Sequence, residues 1–265
     1  MRILRIAMAQ INPTVGDIAG NTRLIARWIK EARKAKADVV AFPELAVTGY
    51  PPEDLLLKPR FVAENLRALD ALAQECRGLL AVVGYVGQGQ TDSRTRRPPV
   101  VPAGQHELFN AAAVLGERGV VASYAKWLLP NYGVFDESRY FHPGRALPLL
   151  MLRGATVGVN ICEDIWFPDG PTRVQAAAGA DVIININASP FQMGKSRVRE
   201  HMLATRAREN GVIVTYTNTV GGQDELVFDG DSMLISADGV RTLRAPLFEA
   251  GVFVGTLPIA KGSHS

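Results

Sequence analysis

Cys162, Glu44 and Lys126 are the residue types that thiol-based acyl transfer requires, and each ends a strand-like apolar run. Cys162 follows Ala155-Thr156-Val157-Gly158-Val159-Asn160-Ile161, and two acids, Glu163 and Asp164, mark the point where the chain leaves a sheet and lines a pocket. Glu44 ends Val39-Val40-Ala41-Phe42-Pro43, and Lys126 ends Val120-Val121-Ala122-Ser123-Tyr124-Ala125. A lone thiol beside apolar residues is more often a small core hydrophobe. A glutamate and a lysine more often form a surface salt bridge worth little. Against both readings stands the company the three residues keep, provided their strands are neighbours.

The chemistry follows from the groups. A thiol at neutral pH is mostly protonated, so attack on a carbonyl needs a base or a depressed pKa. Glu44 is the candidate base. Addition of sulfur to an amide creates an oxyanion, which a fixed ammonium such as Lys126 stabilises where water is excluded. The carboxyl of Glu44, once protonated, can give its proton to the departing amine and then deprotonate the water that hydrolyses the thioester. Other chemistries fit less well. His106, His142, His201 and His264 show no metal-type spacing. There is no phosphate-binding Gly-x-x-x-x-Gly-Lys-Ser/Thr motif, and Gly84-Tyr85-Val86-Gly87-Gln88-Gly89 leads into a polar loop rather than a helix.

The elements that must position these residues belong to a chain of 265 residues with 47% hydrophobic content, enough for one substantial core. Twenty-nine basic against 26 acidic residues leave a charge of +3, which points to neither nucleic acid nor a membrane surface. No stretch approaches the roughly 20 apolar residues that span a bilayer. With two cysteines, Cys76 and Cys162, and no signal-like start, the expected setting is the cytoplasm, with both thiols free. Cys76 closes a helical pattern and reads as structural.

Alternation of strand and helix dominates the first half. Apolar Ile3 to Ile11 is β-prone, and Asn21 to Lys36 is helical, with Leu24, Ile25, Trp28, Ile29 and Ala32 on one face. Val39 to Phe42 reads as a buried strand, Phe61 to Arg77 as a helix and Leu79 to Val86 as another strand. Residues 87 to 106, with Arg94, Arg96 and Arg97, read as a surface loop. Leu108 to Leu115 and Val120 to Ala125 flank the turn Gly116-Glu117-Arg118-Gly119; Leu147 to Leu152 and Thr156 to Ile161 form a second hairpin. Helices Pro171 to Ala178 and Lys195 to Asn210 lead into strands Asp181 to Ile186 and Val212 to Thr217. Leu226 to Ile235 and Gly251 to Leu257 close one domain, residues 1 to 259; 260 to 265 read as an artificial or truncated end. The expected fold is α/β, two mixed sheets packed as a sandwich and covered by helices on both outer faces.

At this point a resemblance enters. Ala41-Phe42-Pro43-Glu44-Leu45-Ala46-Val47-Thr48-Gly49-Tyr50-Pro51-Pro52-Glu53-Asp54-Leu55-Leu56 resembles the glutamate motif of the nitrilase, or carbon–nitrogen hydrolase, superfamily, in the form carried by glutamine-dependent NAD+ synthetases. The segment from Lys126 to Glu137 resembles the lysine motif, and Gly158 to Trp166 the cysteine motif. Asn187-Ala188-Ser189-Pro190-Phe191 and Gly221 to Gly230 resemble further stretches of that subfamily. The resemblance implies a nitrilase-like α-β-β-α sandwich, with Glu44 as general base, Lys126 as oxyanion stabiliser and Cys162 as nucleophile. It also implies substrate contacts from Tyr132, Ser189 and Lys195, with Glu137 an orienting acid beside Lys126. Lys195 suits a substrate carboxylate by charge, but it also reads as a solvated residue opening a helix, and Tyr132 as ordinary packing.

The implied activity is hydrolysis of L-glutamine to glutamate and ammonia, with no cofactor for that step and no metal. ATP and magnesium belong to a synthetase domain whose Ser-Gly-Gly-x-Asp-Ser type loop does not occur in these residues. That domain, which amidates deamido-NAD+, is the expected partner, and homo-oligomers are common in the superfamily. Two rivals stand: an amidase acting on another small amide or a nitrile, and a non-catalytic docking domain of a synthetase.

Overall fold

The computed structural model describes residues 2–89 and 107–259. The arginine cluster at 94 to 97 and the end at 260 to 265 therefore lie outside the described residues. Strands β1 (Arg2–Gln10), β2 (Val39–Ala41) and β3 (Leu80–Gln88) run parallel, joined by helices α1 (Ile18–Lys34) and α2 (Pro59–Ala73). Strands β4 (Leu108–Gly116) and β5 (Gly119–Ala125) continue antiparallel, and β14 (Gly251–Ile259) flanks β1, giving the order β14-β1-β2-β3-β4-β5.

The second sheet is built from β6 (Leu149–Leu152), β7 (Ala155–Ile161), β8 (Val182–Asn187), β9 (Ile213–Asn218), β12 (Met233–Ile235) and β13 (Arg241–Arg244). Its order is β13-β12-β9-β8-β7-β6, with β7, β8 and β9 parallel, and α3 (Pro171–Ala177) and α4 (Lys195–Asn210) lie between them in the chain. A separate hairpin pairs β10 (Val220–Gln223) with β11 (Leu226–Asp229).

Strand alternation explains the layers, because successive side chains point to opposite faces. Leu4, Ile6 and Met8 of β1 enter the core between the sheets, where they meet Val157, Val159 and Ile161 of β7 and Val182, Ile184 and Ile186 of β8. Ala7 and Ala9 face the other way, into a core with Ile25 and Ile29 of α1 and Leu69 and Leu72 of α2. On the far side Ile183, Val214 and Tyr216 pack against Leu203 and Ala207 of α4. The result is the expected α-β-β-α sandwich. Among the described residues no helix is long and apolar enough to cross a membrane.

Several boundaries differ from expectation, each for a local reason. Helix α1 starts at Ile18 rather than Asn21, because the Asp17 carboxylate caps it by accepting the Gly20 N–H at 2.8 Å. Helix α2 ends at Ala73, so Cys76 lies beyond it, buried, with its thiol donating to the Leu72 carbonyl. Strand β3 runs through Gln88, past the expected start of the surface loop at Gly87. The segment Leu226 to Ile235 is two strands, because Gly230 (φ +70°) and Asp231 (φ +59°) adopt left-handed backbone and redirect the chain from the hairpin into the second sheet. Strands β10 and β13 escaped the sequence pattern: one contains Gly221-Gly222, the other is a mostly exposed Arg-Thr-Leu-Arg edge.

Candidate active site

Strands β2, β5, β7 and β8 all deliver their carboxyl ends to one edge of the sandwich, where loops are free to build a pocket. Glu44 lies three residues beyond β2, in a turn that folds over β3. The turn fits because position 84 is glycine: a Cβ there would lie 2.3 Å from both the Leu45 nitrogen and the Pro43 carbonyl oxygen. The Gly84 carbonyl accepts the Val47 N–H at 3.1 Å, which fixes the same turn. Lys126 follows β5 directly, held on both sides of its peptide: its N–H donates to the Asn110 carbonyl at 2.9 Å, and its own carbonyl accepts Gly144 N–H at 2.7 Å.

These placements bring the two side chains into contact inside the protein. The Lys126 ammonium donates to Glu44 Oε1 at 2.6 Å and to Glu137 at 2.8 Å (Oε1) and 3.0 Å (Oε2). Lys126 and Glu44 are each about 1% exposed, so the surface salt bridge weighed from sequence is instead a buried pair. Asn110 of β4 donates from Nδ2 to Glu44 Oε1 at 2.6 Å and to Glu137 Oε2 at 3.2 Å. The Ala188 N–H, just past β8, donates to Glu44 Oε2 at 2.9 Å, and the Tyr50 hydroxyl donates to Glu137 Oε1 at 3.1 Å. Glu44 is thus oriented from both sheets.

Cys162 sits where β7 turns into a single 3-10 turn, at φ +45°, a conformation that costs a non-glycine residue roughly 1–3 kcal/mol and needs surrounding contacts to hold it. It is buried and unpaired. Burial pushes its thiol well above the ordinary value, with Glu44 reinforcing the shift and Lys126 opposing it. Burial alone would lower the Lys126 ammonium, but the neighbouring Glu137 and Glu44 outweigh it and hold the lysine well above its usual range. Burial raises Glu137, against the pull of Lys126. An ammonium has three N–H donors, and here it makes three contacts, one to Glu44 and two to Glu137.

The remaining expected residues surround this cluster. Ser189, buried after β8, is fixed by reciprocal bonds: its N–H donates to Asn218 Oδ1 at 2.9 Å and its carbonyl accepts Asn218 Nδ2 at 3.2 Å. Lys195 opens α4, as one reading of the sequence had it, and its Nζ donates to the Pro190 carbonyl at 3.1 Å. It is not simply a solvated residue. Partial burial lowers its ammonium, while the nearby Cys162 and Glu163 raise it. Tyr132 is half exposed, yet its hydroxyl donates to both carboxylate oxygens of Glu163, at 2.8 and 3.0 Å.

Asn110, Glu163 and Asp164, like Tyr50 and Asn218, were not singled out for roles in the site from sequence. Asn110 had no signal beyond being a polar residue in an apolar strand. Glu163 and Asp164 were visible only as acids marking a bend, and both are buried. A cavity of about 170 Å³ opens beside Tyr50 and Glu137, between Pro51 to Leu56 and the segment Val134 to Phe141. A larger open groove lined by Ile3, Arg5, Asp38 and Arg153 lies at the opposite ends of β2 and β7 and holds no nucleophile, so the chemistry locates the site at the cluster.

Comparison with known proteins identifies the family. The chain is 42% identical over 262 residues to the glutamine-dependent NAD(+) synthetase of Aquifex aeolicus, covering 99% of this chain but 44% of that protein. It therefore spans less than half the length of this relative. The structure of glutamine-dependent NAD+ synthetase from Acinetobacter baumannii superposes with a TM-score of 0.89 at 33% identity, over 97% of this chain and 46% of that one. An amidase from Nesterenkonia superposes with a TM-score of 0.82 at 27% identity over 97% of this chain and 92% of its own; that structure carries the acetamide moiety of fluoroacetamide covalently at the active-site cysteine. The profile of the carbon–nitrogen hydrolases matches residues 5–263, and the chain belongs to that family.

Proposed function

We propose that this domain hydrolyses L-glutamine to L-glutamate and ammonia through a thioester on Cys162, and supplies the ammonia to a synthetase domain that amidates deamido-NAD+. The observation that carries the reading is the buried Glu44–Lys126–Glu137 cluster near the buried Cys162 thiol. As sulfur bonds to the amide carbon, the thiol proton passes to Glu44 and the carbonyl oxygen becomes an oxyanion facing the Lys126 ammonium. When the C–N bond breaks, the proton on Glu44 goes to the leaving nitrogen and ammonia departs. Water then gives a proton to Glu44 and its hydroxyl to the thioester carbon; the C–S bond breaks and the proton returns to sulfur. No cofactor takes part in these steps.

Charge complementarity supports glutamine over a simple amide. Glu163, held by Tyr132, suits an α-ammonium, and Lys195 suits an α-carboxylate, with Ser189 between the strand end and α4. The rival reading, an amidase for another small amide or nitrile, draws on the likeness to the Nesterenkonia amidase over most of that chain. A docking domain without activity has no use for a buried base, cation and nucleophile together. The same reading sets the protein in the cytoplasm, where its two free thiols stay reduced, as a homo-oligomer beside its synthetase partner. A panel of glutamine, asparagine, acetamide, butyramide and a nitrile tests the substrate. Glutamine should give the highest kcat/KM, and a simple amide turned over faster than glutamine would overturn the assignment.

A further inference from the structure

Asp164 is fully buried, and its two oxygens serve two different parts of the chain. Oδ1 accepts the N–H groups of Trp127 at 3.1 Å and Leu128 at 2.9 Å, the two residues that follow Lys126. Oδ2 accepts the Ile161 N–H at 3.0 Å, the residue before Cys162, and the Tyr124 hydroxyl at 2.6 Å, two residues before Lys126. The strands involved, β5 and β7, belong to different sheets, and these four hydrogen bonds meet on this one side chain. We propose that Asp164 is a positioning residue that clasps the segment bearing the Cys162 nucleophile to the segment bearing the Lys126 ammonium, so that sulfur and oxyanion donor hold one mutual geometry.

The physical case rests on strain and on tolerance. Cys162 occupies a left-handed conformation that does not persist unless neighbouring contacts over-determine it, and the Ile161 N–H bond to Asp164 closes the turn around it. Lys126 is fixed at its own peptide, but the chain beyond it leaves the sheet, and the paired bonds from Trp127 and Leu128 anchor that exit. Misplacement of a reacting group by about 1 Å costs on the order of 100-fold in rate. Asp164 touches neither substrate nor sulfur in this arrangement and acts through the two backbones it joins.

This inference takes glutamine as the substrate from the preceding reading, and the test separates the two. Asp164→Asn presents one acceptor oxygen and an NH2 group to four donors, whereas Tyr124→Phe removes one donor and leaves three. In full-length protein kcat for glutamine is expected to fall on the order of 100-fold in Asp164→Asn, with KM changed less than about threefold, and to fall only a few-fold in Tyr124→Phe. Hydrogen–deuterium exchange should show the amides of Ile161, Trp127 and Leu128 losing protection together in Asp164→Asn, whatever the substrate. If the wild type leaves glutamine intact, the substrate assignment fails while the exchange readout still judges the clasp. A folded Asp164→Asn protein with wild-type kcat, or with both segments as protected as before, overturns the proposal; if that variant does not fold, an unchanged kcat in Tyr124→Phe does so.

Discussion

Glu44 Oε1 and the Lys126 ammonium lie 2.6 Å apart across 82 positions of sequence, with both side chains about 1% exposed. Charges so deeply buried are tolerated only as partners, and removing one is far more damaging than replacing both. Lys126→Met leaves Glu44 and Glu137 facing each other with no cation. It should destabilise the fold by about 3–5 kcal/mol in urea unfolding and, by removing the oxyanion donor, lower kcat by roughly 10²–10³-fold. A variant as stable as the wild type would show that the three groups do not form the cluster described.

Asn110 ties Glu44 to Glu137 through one amide group. Asn110→Asp deletes both N–H donors and sets a third carboxylate against the other two. Activity should be lost nearly completely, with KM barely measurable, while Asn110→Ala should retain a residue of activity, lower by about 10–100-fold by analogy with orienting partners elsewhere. Equal kcat in the two variants would mean that Asn110 does not orient the carboxylates.

Burial pushes Asp164 from the ordinary 3.8 up to about 6, with the Tyr124 hydroxyl and Leu128 N–H opposing the shift. Tyr124 and Lys126 face it from β5 and the exit of that strand, and Cys162 and Glu163 precede it on its own turn. A protonated Asp164 can no longer accept all four donors, so kcat should fall as pH drops through about 6. Stability responds with the opposite sign. Because the folded value lies above the unfolded one, this group's contribution is fully present below the unfolded value and is lost as pH rises through the folded value. On its account, the urea midpoint should not fall between pH 7 and pH 5 while kcat does. A kcat that stays flat to pH 5 contradicts the assignment.

Gly84 offers a test of the scaffold rather than the chemistry. Alanine there would press its Cβ against the backbone of the Glu44 turn at 2.3 Å. Since backbone cannot yield as a flexible side chain can, Gly84→Ala should lower both kcat and thermal stability, and a crystal structure of the variant should show the Glu44 turn displaced. Gly78, where a Cβ meets nothing within 4 Å but φ is +76°, is a control for backbone conformation alone.

Much of this arrangement is written in the local sequence. Buried strands such as β7 and β8 are continuous apolar runs, and the helices carry their apolar faces at the expected spacing, so the sandwich was legible, as was the placing of Glu44, Lys126 and Cys162 at or just past strand ends. What was not legible depends on contacts between distant segments. Nothing around Asn110 announces that its amide reaches across to residues 66 and 27 positions away. Asp164 looked like a loop acid because its partners on β5 and just beyond it are far away in the chain, and only the fold brings their donors to it. The division of Leu226 to Ile235 was hidden for another reason: the break is made by backbone conformation at Gly230 and Asp231, within a run that otherwise reads as one strand.

Rapid quenching of the protein in saturating glutamine, followed by peptide mass spectrometry, addresses the thioester directly. The peptide containing Cys162 should carry a γ-glutamyl group during turnover, the one containing Cys76 should not, and Cys162→Ala should neither form the adduct nor release ammonia. Glutamine hydrolysis by Cys162→Ala at the wild-type rate, or an adduct on a residue other than Cys162, would contradict the account.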